Sequence, residues 1–108
     1  MGTPTAVVAL KAAEAIARDV DAFDLNMGCP KSFSVKGGMG AALLAKPEVA
    51  ADIIRTLRRN VSLPISCKVR CVHDLKSTVE LMRRMEAAGA HAIGVHLRWV
   101  VGPPGGCV

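Results

Sequence analysis

The sequence predicts an α/β chain built on a parallel sheet. Segments of helical period alternate with short apolar runs in the order α-β-α-β-α-β, the signature of βαβ units. The chain is 51% hydrophobic but only 3% aromatic, and Ala, Val, Leu and Ile dominate. That palette suits helices packed on buried parallel strands. Polar residues then gather where each apolar run ends, which is where parallel folds keep their chemistry.

Pro4 to Arg18 is Ala-rich, and Val7, Leu10, Ala13 and Ala17 recur at three- and four-residue steps, so this segment is expected to be an amphipathic helix. Ala22 to Leu25 is a short strand. Asn26 to Gly40 is dense in Gly, Pro, Ser and Lys and is expected to be a loop. Ala41 to Ala45 forms a helical turn that stops before Pro47. A long helix over Glu48 to Arg59 presents Val49, Ile53, Ile54 and Leu57 inward and Arg55, Arg58 and Arg59 outward. Leu63 to Val69 is the second strand, with Pro64 near its start, where a missing N–H does least harm. Leu75 to Ala88 is a third long helix with Val79, Met82 and Met85 on its inner face, capped by Gly89. Ala90 to Val95 is the third strand. The domain is expected to span 1–98, and 99–108, rich in Gly and Pro, to be an unstructured tail.

Composition narrows the functional classes. The net charge of +5 raises the odds of a polyanionic partner, but charge alone is more simply read as a solvated surface. Three aromatic residues cannot build a stacking platform for single strands. The four cysteines, Cys29, Cys67, Cys71 and Cys107, have neither disulfide-framework nor zinc spacing, so reduced thiols and no metal are expected. No run approaches the ~18 apolar residues of a membrane helix. Neither a signal peptide nor a myristoylation motif is read at Met1-Gly2-Thr3, so a cytoplasmic location is expected.

The strand ends carry the candidate chemistry. The first ends in Asn26-Met27-Gly28-Cys29-Pro30, the second carries Lys68 and Arg70, and the third ends in His96 and Arg98. Cys29 reads either as a buried small hydrophobe or as an accessible thiol heading a glycine-rich loop, and its place on the rim favours the second. A free thiol of pKa ~8.5 stays protonated near neutrality and can donate that proton. Lys36-Gly37-Gly38-Met39-Gly40 lacks the Lys-Ser/Thr ending of a phosphate loop, and reads as a mobile loop hinged on glycines. Lys68 ends an apolar run and is expected to point at an anion or an electron-rich ring. His73 and His91 read as ordinary, whereas His96 is expected to contact a ligand.

Asn26-Met27-Gly28-Cys29-Pro30-Lys31, followed by Lys36-Gly37-Gly38-Met39-Gly40-Ala41-Ala42-Leu43-Leu44, resembles the signature of the tRNA-dihydrouridine synthase family. Cys67-Lys68-Val69-Arg70 and Val95-His96-Leu97-Arg98 follow in the family's order, and the version here is most similar to the eukaryotic cytoplasmic type. The resemblance covers about Met1 to Arg98. It implies about three consecutive units of a (β/α)8 TIM barrel. It implies FMN, NADPH as electron donor, and uridine in tRNA as substrate. Cys29 would be the proton donor, Lys68 and His96 would hold the flavin, and Asn26 and Arg70 would hold the flavin ring and the target uracil. Met1-Gly2-Thr3 resembles the end of an earlier barrel strand.

Leu97 replaces a glycine usual in the family and is expected to crowd the site beside His96. A full barrel needs about 250 residues, so the 108-residue chain is expected to be a piece, inactive alone and only marginally folded. Ile65, Val69, Ile93 and Val95 would then meet water on the open side of the sheet. Two other readings stand. One is a flavin barrel of the dihydropyrimidine or dihydroorotate dehydrogenase type, against which the Lys36 to Leu44 run argues. The other is a non-catalytic piece that binds RNA or a protein through Arg55, Arg58, Arg59, Arg83 and Arg84.

Overall fold

The computed structural model of the chain describes residues 1–99. Its elements are α1 (Ala6–Ile16), β1 (Phe23–Asn26), α2 (Ser32–Lys36), α3 (Pro47–Asn60), β2 (Ile65–Cys71), α4 (Leu75–Ala88) and β3 (Ala92–Trp99). Short 3-10 helices cover Ala17–Asp19 and Gly40–Ala45. The three strands form one open parallel sheet in the order β1-β2-β3, each strand beside its sequence neighbour.

One face of this sheet is apolar and covered. Phe23, Leu25, Ile65, Cys67 and Val69 are buried in one cluster with Ala9 and Ala13 of α1, Ile53, Ile54 and Leu57 of α3, and Leu81 and Met85 of α4. The opposite face carries the alternate residues Asp24, Asn26, Ser66, Lys68 and Arg70, which remain exposed or part-buried. Ile65 and Val69 are therefore fully buried against the helices, contrary to the expectation that they meet water. Ile93 and Val95 pack partly against the same cluster. The cause is the two-residue period of a strand, which sends the apolar set to one side only.

The helix registers differ from the sequence reading in detail. In α1 the buried stripe is Ala9 and Ala13, while Val7 is 65% exposed. In α3 the buried set is Ala50, Ala51, Ile53, Ile54 and Leu57, with Val49 only half-buried and Arg55, Arg58 and Arg59 exposed. In α4 it is Thr78, Leu81, Met85 and Ala88, with Val79 turned outward. In α1 the inward stripe is alanine, which permits close approach to the neighbouring helix, whereas α3 keeps Ile53, Ile54 and Leu57 inward as the spacing predicts. The stretch Asn26–Gly40, expected to be all loop, contains α2.

The strands run further than expected. β2 continues through Arg70 to Cys71, and β3 through His96 to Trp99. Trp99 therefore belongs to the sheet rather than to a tail, and the remainder of the expected tail lies outside the described residues. At the other edge the Met1 ammonium donates to the Asp24 carbonyl (2.7 Å), and the Asn26 N–H donates to the Met1 carbonyl (2.8 Å). These two bonds bracket Leu25 in the pattern of a parallel bridge.

Local signals hold the elements in place. Asp74 caps α4 by accepting from Ser77 N–H at 2.7 Å. Gly89 closes the helix at φ 117°, a left-handed cap that favours glycine. His91 accepts from Ile65 N–H (3.0 Å) through Nδ1, while its own N–H reaches the Ile65 carbonyl (2.7 Å), so it pins the start of β2 and has a structural role. Thr78, 4% exposed, ties α4 to the carboxyl end of β2: its Oγ1 accepts from Val72 N–H (3.0 Å) and lies 2.9 Å from the Asp74 carbonyl. Thr78→Val keeps the shape but orphans the Val72 N–H, so it is expected to lower unfolding stability by about 1–3 kcal/mol. Urea denaturation would show this as a lower midpoint with an unchanged slope.

Candidate active site

The polar face of the sheet and the turn after β1 form one cleft at the carboxyl ends of the strands. Asn26, Cys29, Lys68, Arg70 and His96 all line it. Strand register brings them together. Asn26 pairs with Lys68, Lys68 with Gly94, and Arg70 with His96, so side chains of one parity rise from three adjacent strands on the same side. His96 lies inside β3 rather than at its end, and the pairing with Arg70 is what sets it on the rim.

The register breaks immediately afterwards, where Cys71 pairs with Trp99 and leaves Leu97 and Arg98 out of step. Leu97 is 80% exposed and does not line the cleft, which corrects the expectation that it crowds His96. Sequence reading also passed over Asp24, which lines the cleft and whose Oδ1 accepts from the Ser66 hydroxyl at 2.8 Å.

The Cys29 turn is tied down by hydrogen bonds from several directions. Asn26 Oδ1 accepts from the N–H groups of Gly28 (2.9 Å) and Cys29 (3.1 Å). Arg70 Nε donates to the Gly28 carbonyl at 2.6 Å. The Cys29 carbonyl accepts from Ala41 N–H at 2.8 Å. Gly40 packs directly beneath: at φ 58° its backbone is left-handed, and an added Cβ would stand 2.6 Å from the Cys29 carbonyl oxygen. Met39 N–H meanwhile bonds the Ser34 carbonyl (2.9 Å). The Lys36–Gly40 run is thus a hydrogen-bonded buttress under Cys29, where the sequence had suggested a glycine-hinged mobile loop. Its glycines serve close backbone approach and positive φ rather than hinging.

Two thiols of like chemistry have opposite environments. Burial pushes Cys67 up to about 12, with Asp24 adding to the effect, so it is an inert core thiol. Cys29, part-exposed in the cleft, is held below its ordinary value. The Ser34 hydroxyl contributes most, followed by the Lys31 backbone N–H; the charges of Lys31 and Arg70 add less, and partial burial opposes them. A thiol of ordinary acidity, as read from the sequence, is therefore corrected to a more acidic one. Ser34 gave no sequence signal beyond being one polar residue in a polar stretch. α2 places it near the turn, 8% exposed, with its carbonyl bonded to Met39 N–H.

His96 is held below its ordinary value, first by burial and then by Arg70, Arg98 and Lys68, so it stands as a neutral imidazole at neutral pH. Among the described residues, no group of three or more His, Cys, Asp or Glu side chains converges in the manner of a metal site. No helix there is long and apolar enough to cross a membrane.

A thiol of raised acidity facing a lysine, an arginine and a neutral imidazole, on the carboxyl rim of a parallel sheet, is the kind of cleft in which an enzyme transfers protons. The family profile described as Dihydrouridine synthase (Dus) matches residues 1–102. The chain belongs to the dihydrouridine synthase family, a family of oxidoreductases. It is 38% identical over 102 residues to the tRNA-dihydrouridine(20) synthase (NAD(P)+) of Saccharomyces cerevisiae, covering 91% of this chain and 27% of that protein. It is 39% identical over 102 residues to the protein of the same name from Schizosaccharomyces pombe, covering 91% and 21%. It is 38% identical over 90 residues to the human tRNA-dihydrouridine(20a/20b) synthase (NAD(P)+)-like protein, covering 81% and 28%. The chain thus spans roughly a quarter of the length of these curated relatives.

The Ser34 contact makes a directional prediction. Ser34→Ala removes a donor to the Cys29 thiolate, so the Cys29 pKa should rise toward its ordinary value. The rate of Cys29 alkylation by iodoacetamide, followed on the Cys29 peptide by mass spectrometry, should then rise at higher pH than in the wild type. A coincident pair of pH profiles would remove Ser34 from the site.

Proposed function

We propose that this chain is a segment of an FMN- and NADPH-dependent tRNA-dihydrouridine synthase in which Cys29 gives the proton that completes uridine reduction. Residues 1–98 would form about three consecutive units of a (β/α)8 barrel, acting in the cytoplasm. The sequential order β1-β2-β3, with helices on one face and a polar opposite face, supports the barrel reading, because a doubly wound sheet would carry helices on both faces.

The reading rests on the convergence of Cys29 with Lys68, Arg70 and His96 at one rim. The donor set also fits the implied flavin. Lys68 and Arg70 are cations facing a shared space, His96 is a neutral donor, and Arg70 Nη1 is buried without a hydrogen-bond partner among the described residues. Such a lining suits an acceptor-rich group that gains negative charge. Lys68 and His96 would hold the cofactor, and Asn26 and Arg70 would border the target uracil. When bound, FMN supplies the hydride to one carbon of the uracil C5–C6 double bond. Cys29 Sγ–H supplies the proton to the other, leaving a thiolate that the Ser34 hydroxyl and Lys31 N–H favour. Stabilising that thiolate makes the thiol a stronger acid. The target base must leave its stack to reach this rim.

Two variants test the assignment in the complete enzyme. Cys29→Ala is expected to retain FMN and to be reduced by NADPH, yet to lose about 10²–10⁴-fold in uridine reduction. Loss of flavin with the thiol would make Cys29 structural instead. The wild-type rate should also fall as pH rises through the Cys29 pKa, because the acid form is the active one. Lys68→Ala should release flavin more readily or slow hydride transfer, since a cation beside the ring favours the reduced, anionic form. Flavin content and reduction rate equal to wild type would count against that placement.

A further inference from the structure

We infer that Asn26 and Arg70 are positioning residues for the Cys29 thiol: together they clamp the Gly28–Cys29 turn from opposite ends of its peptide groups. This rests on the reading of Cys29 as the proton donor and assigns Asn26 and Arg70 a task that contact with the uracil does not include. Asn26 Oδ1 takes the N–H groups of Gly28 and Cys29 at 2.9 and 3.1 Å, so one carboxamide oxygen saturates both donors of the turn. Arg70 Nε takes the Gly28 carbonyl at 2.6 Å from the neighbouring strand. The Cys29 carbonyl is held in turn by Ala41 N–H at 2.8 Å. Every backbone polar group of Gly28 and Cys29 is thereby fixed, leaving the Cys29 side-chain rotation as the principal freedom of the thiol.

The two clamping residues differ in what they leave free. Arg70 lies against Gly28, where an added Cβ would stand 3.5 Å from its Cγ. Its guanidinium is a rigid plane, so fixing Nε also fixes Nη1, which is buried with no partner among the described residues. An acceptor bound at Nη1 would therefore lock the plane and, through Nε, the turn that carries the thiol. A lysine offers the same charge but a single ammonium, which cannot hold the carbonyl and a second acceptor in one plane. The role thus belongs to the fork of the guanidinium and not to its charge.

Amide hydrogen exchange on the complete enzyme, stripped of cofactor and without substrate, tests the clamp, so its outcome is separate from whether Cys29 reduces uridine. The readouts are the amides of Gly28, Cys29 and Ala41, with those of Cys67 and Val69 in β2 as internal reference. Arg70→Lys and Asn26→Ala are each expected to speed exchange of the turn amides on the order of tenfold relative to the reference. Asn26→Asp retains an acceptor oxygen and is expected to restore protection. If Arg70→Lys also loosens the reference amides, the Asn26→Ala and Asn26→Asp pair decides. Turn amides that exchange at the wild-type rate in Asn26→Ala, or that stay unprotected in Asn26→Asp, overturn the clamp. If Cys29→Ala reduces uridine normally while the exchange pattern holds, the proton-donor reading falls and the clamp stands.

Discussion

The parallel pairing of β2 with β1 on one side and β3 on the other is the constraint on which the rest depends. Side chains alternate with a period of two, so once Leu25 and Val69 are committed to the helices, Asn26, Lys68 and Arg70 must share the opposite face. A slip of one residue in either pairing would bury the cations and expose the core. Burying Lys68 without a partner would cost several kcal/mol, and that penalty selects the register as strongly as the apolar contacts do. Core and cleft are thus two sides of one choice.

The same alternation divides the cysteines. Cys67 and Cys29 belong to adjacent parts of the fold, yet one sits on the apolar side of β2 and the other in a turn beyond the end of β1. The first is desolvated until it holds its proton to about 12. The second faces hydroxyl and amide donors and two nearby cations, and becomes more acidic. Thiol chemistry in this chain is therefore assigned by position relative to the sheet.

Much of this was legible in the sequence because period and punctuation are local. The order of elements, the Gly89 cap, the structural character of His91 and the gathering of Asn26, Cys29, Lys68, Arg70 and His96 all follow from spacing, strand-end placement and a specific motif. What was not legible is tertiary. Which apolar stripe of α4 faces inward depends on the sheet beneath it, so Thr78 and Leu81 displaced Val79. The extension of β3 to Trp99 depends on a partner strand that supplies hydrogen bonds beyond Val95. Ser34 could not be chosen from its neighbours, because only the folding of α2 carries it to the thiol. The glycine run misled for a related reason: glycine marks both hinges and close contacts, and Gly40 is set against Cys29 rather than free of it.

The polarity of the open face also decides how this sheet stands in water. An open sheet whose uncovered face were apolar would expose its largest side chains to water, and few stable states would survive that. Here the uncovered face offers water a carboxylate, an amide, a hydroxyl, an ammonium and a guanidinium, while the residues that need cover already have it from α1, α3 and α4. The apolar side chains that do meet water lie elsewhere. β3 has half-buried Ile93 and Val95 and an exposed Leu97, and α4 turns Leu75 and Val79 outward, 71% and 43% exposed. Exposed strand edges of this kind favour association. Apolar side chains are thus exposed at the β3–α4 boundary and again on α1 and α2, where Val7, Val8, Ile16 and Phe33 meet water, whereas the Cys29 turn is held by hydrogen bonds within the described residues.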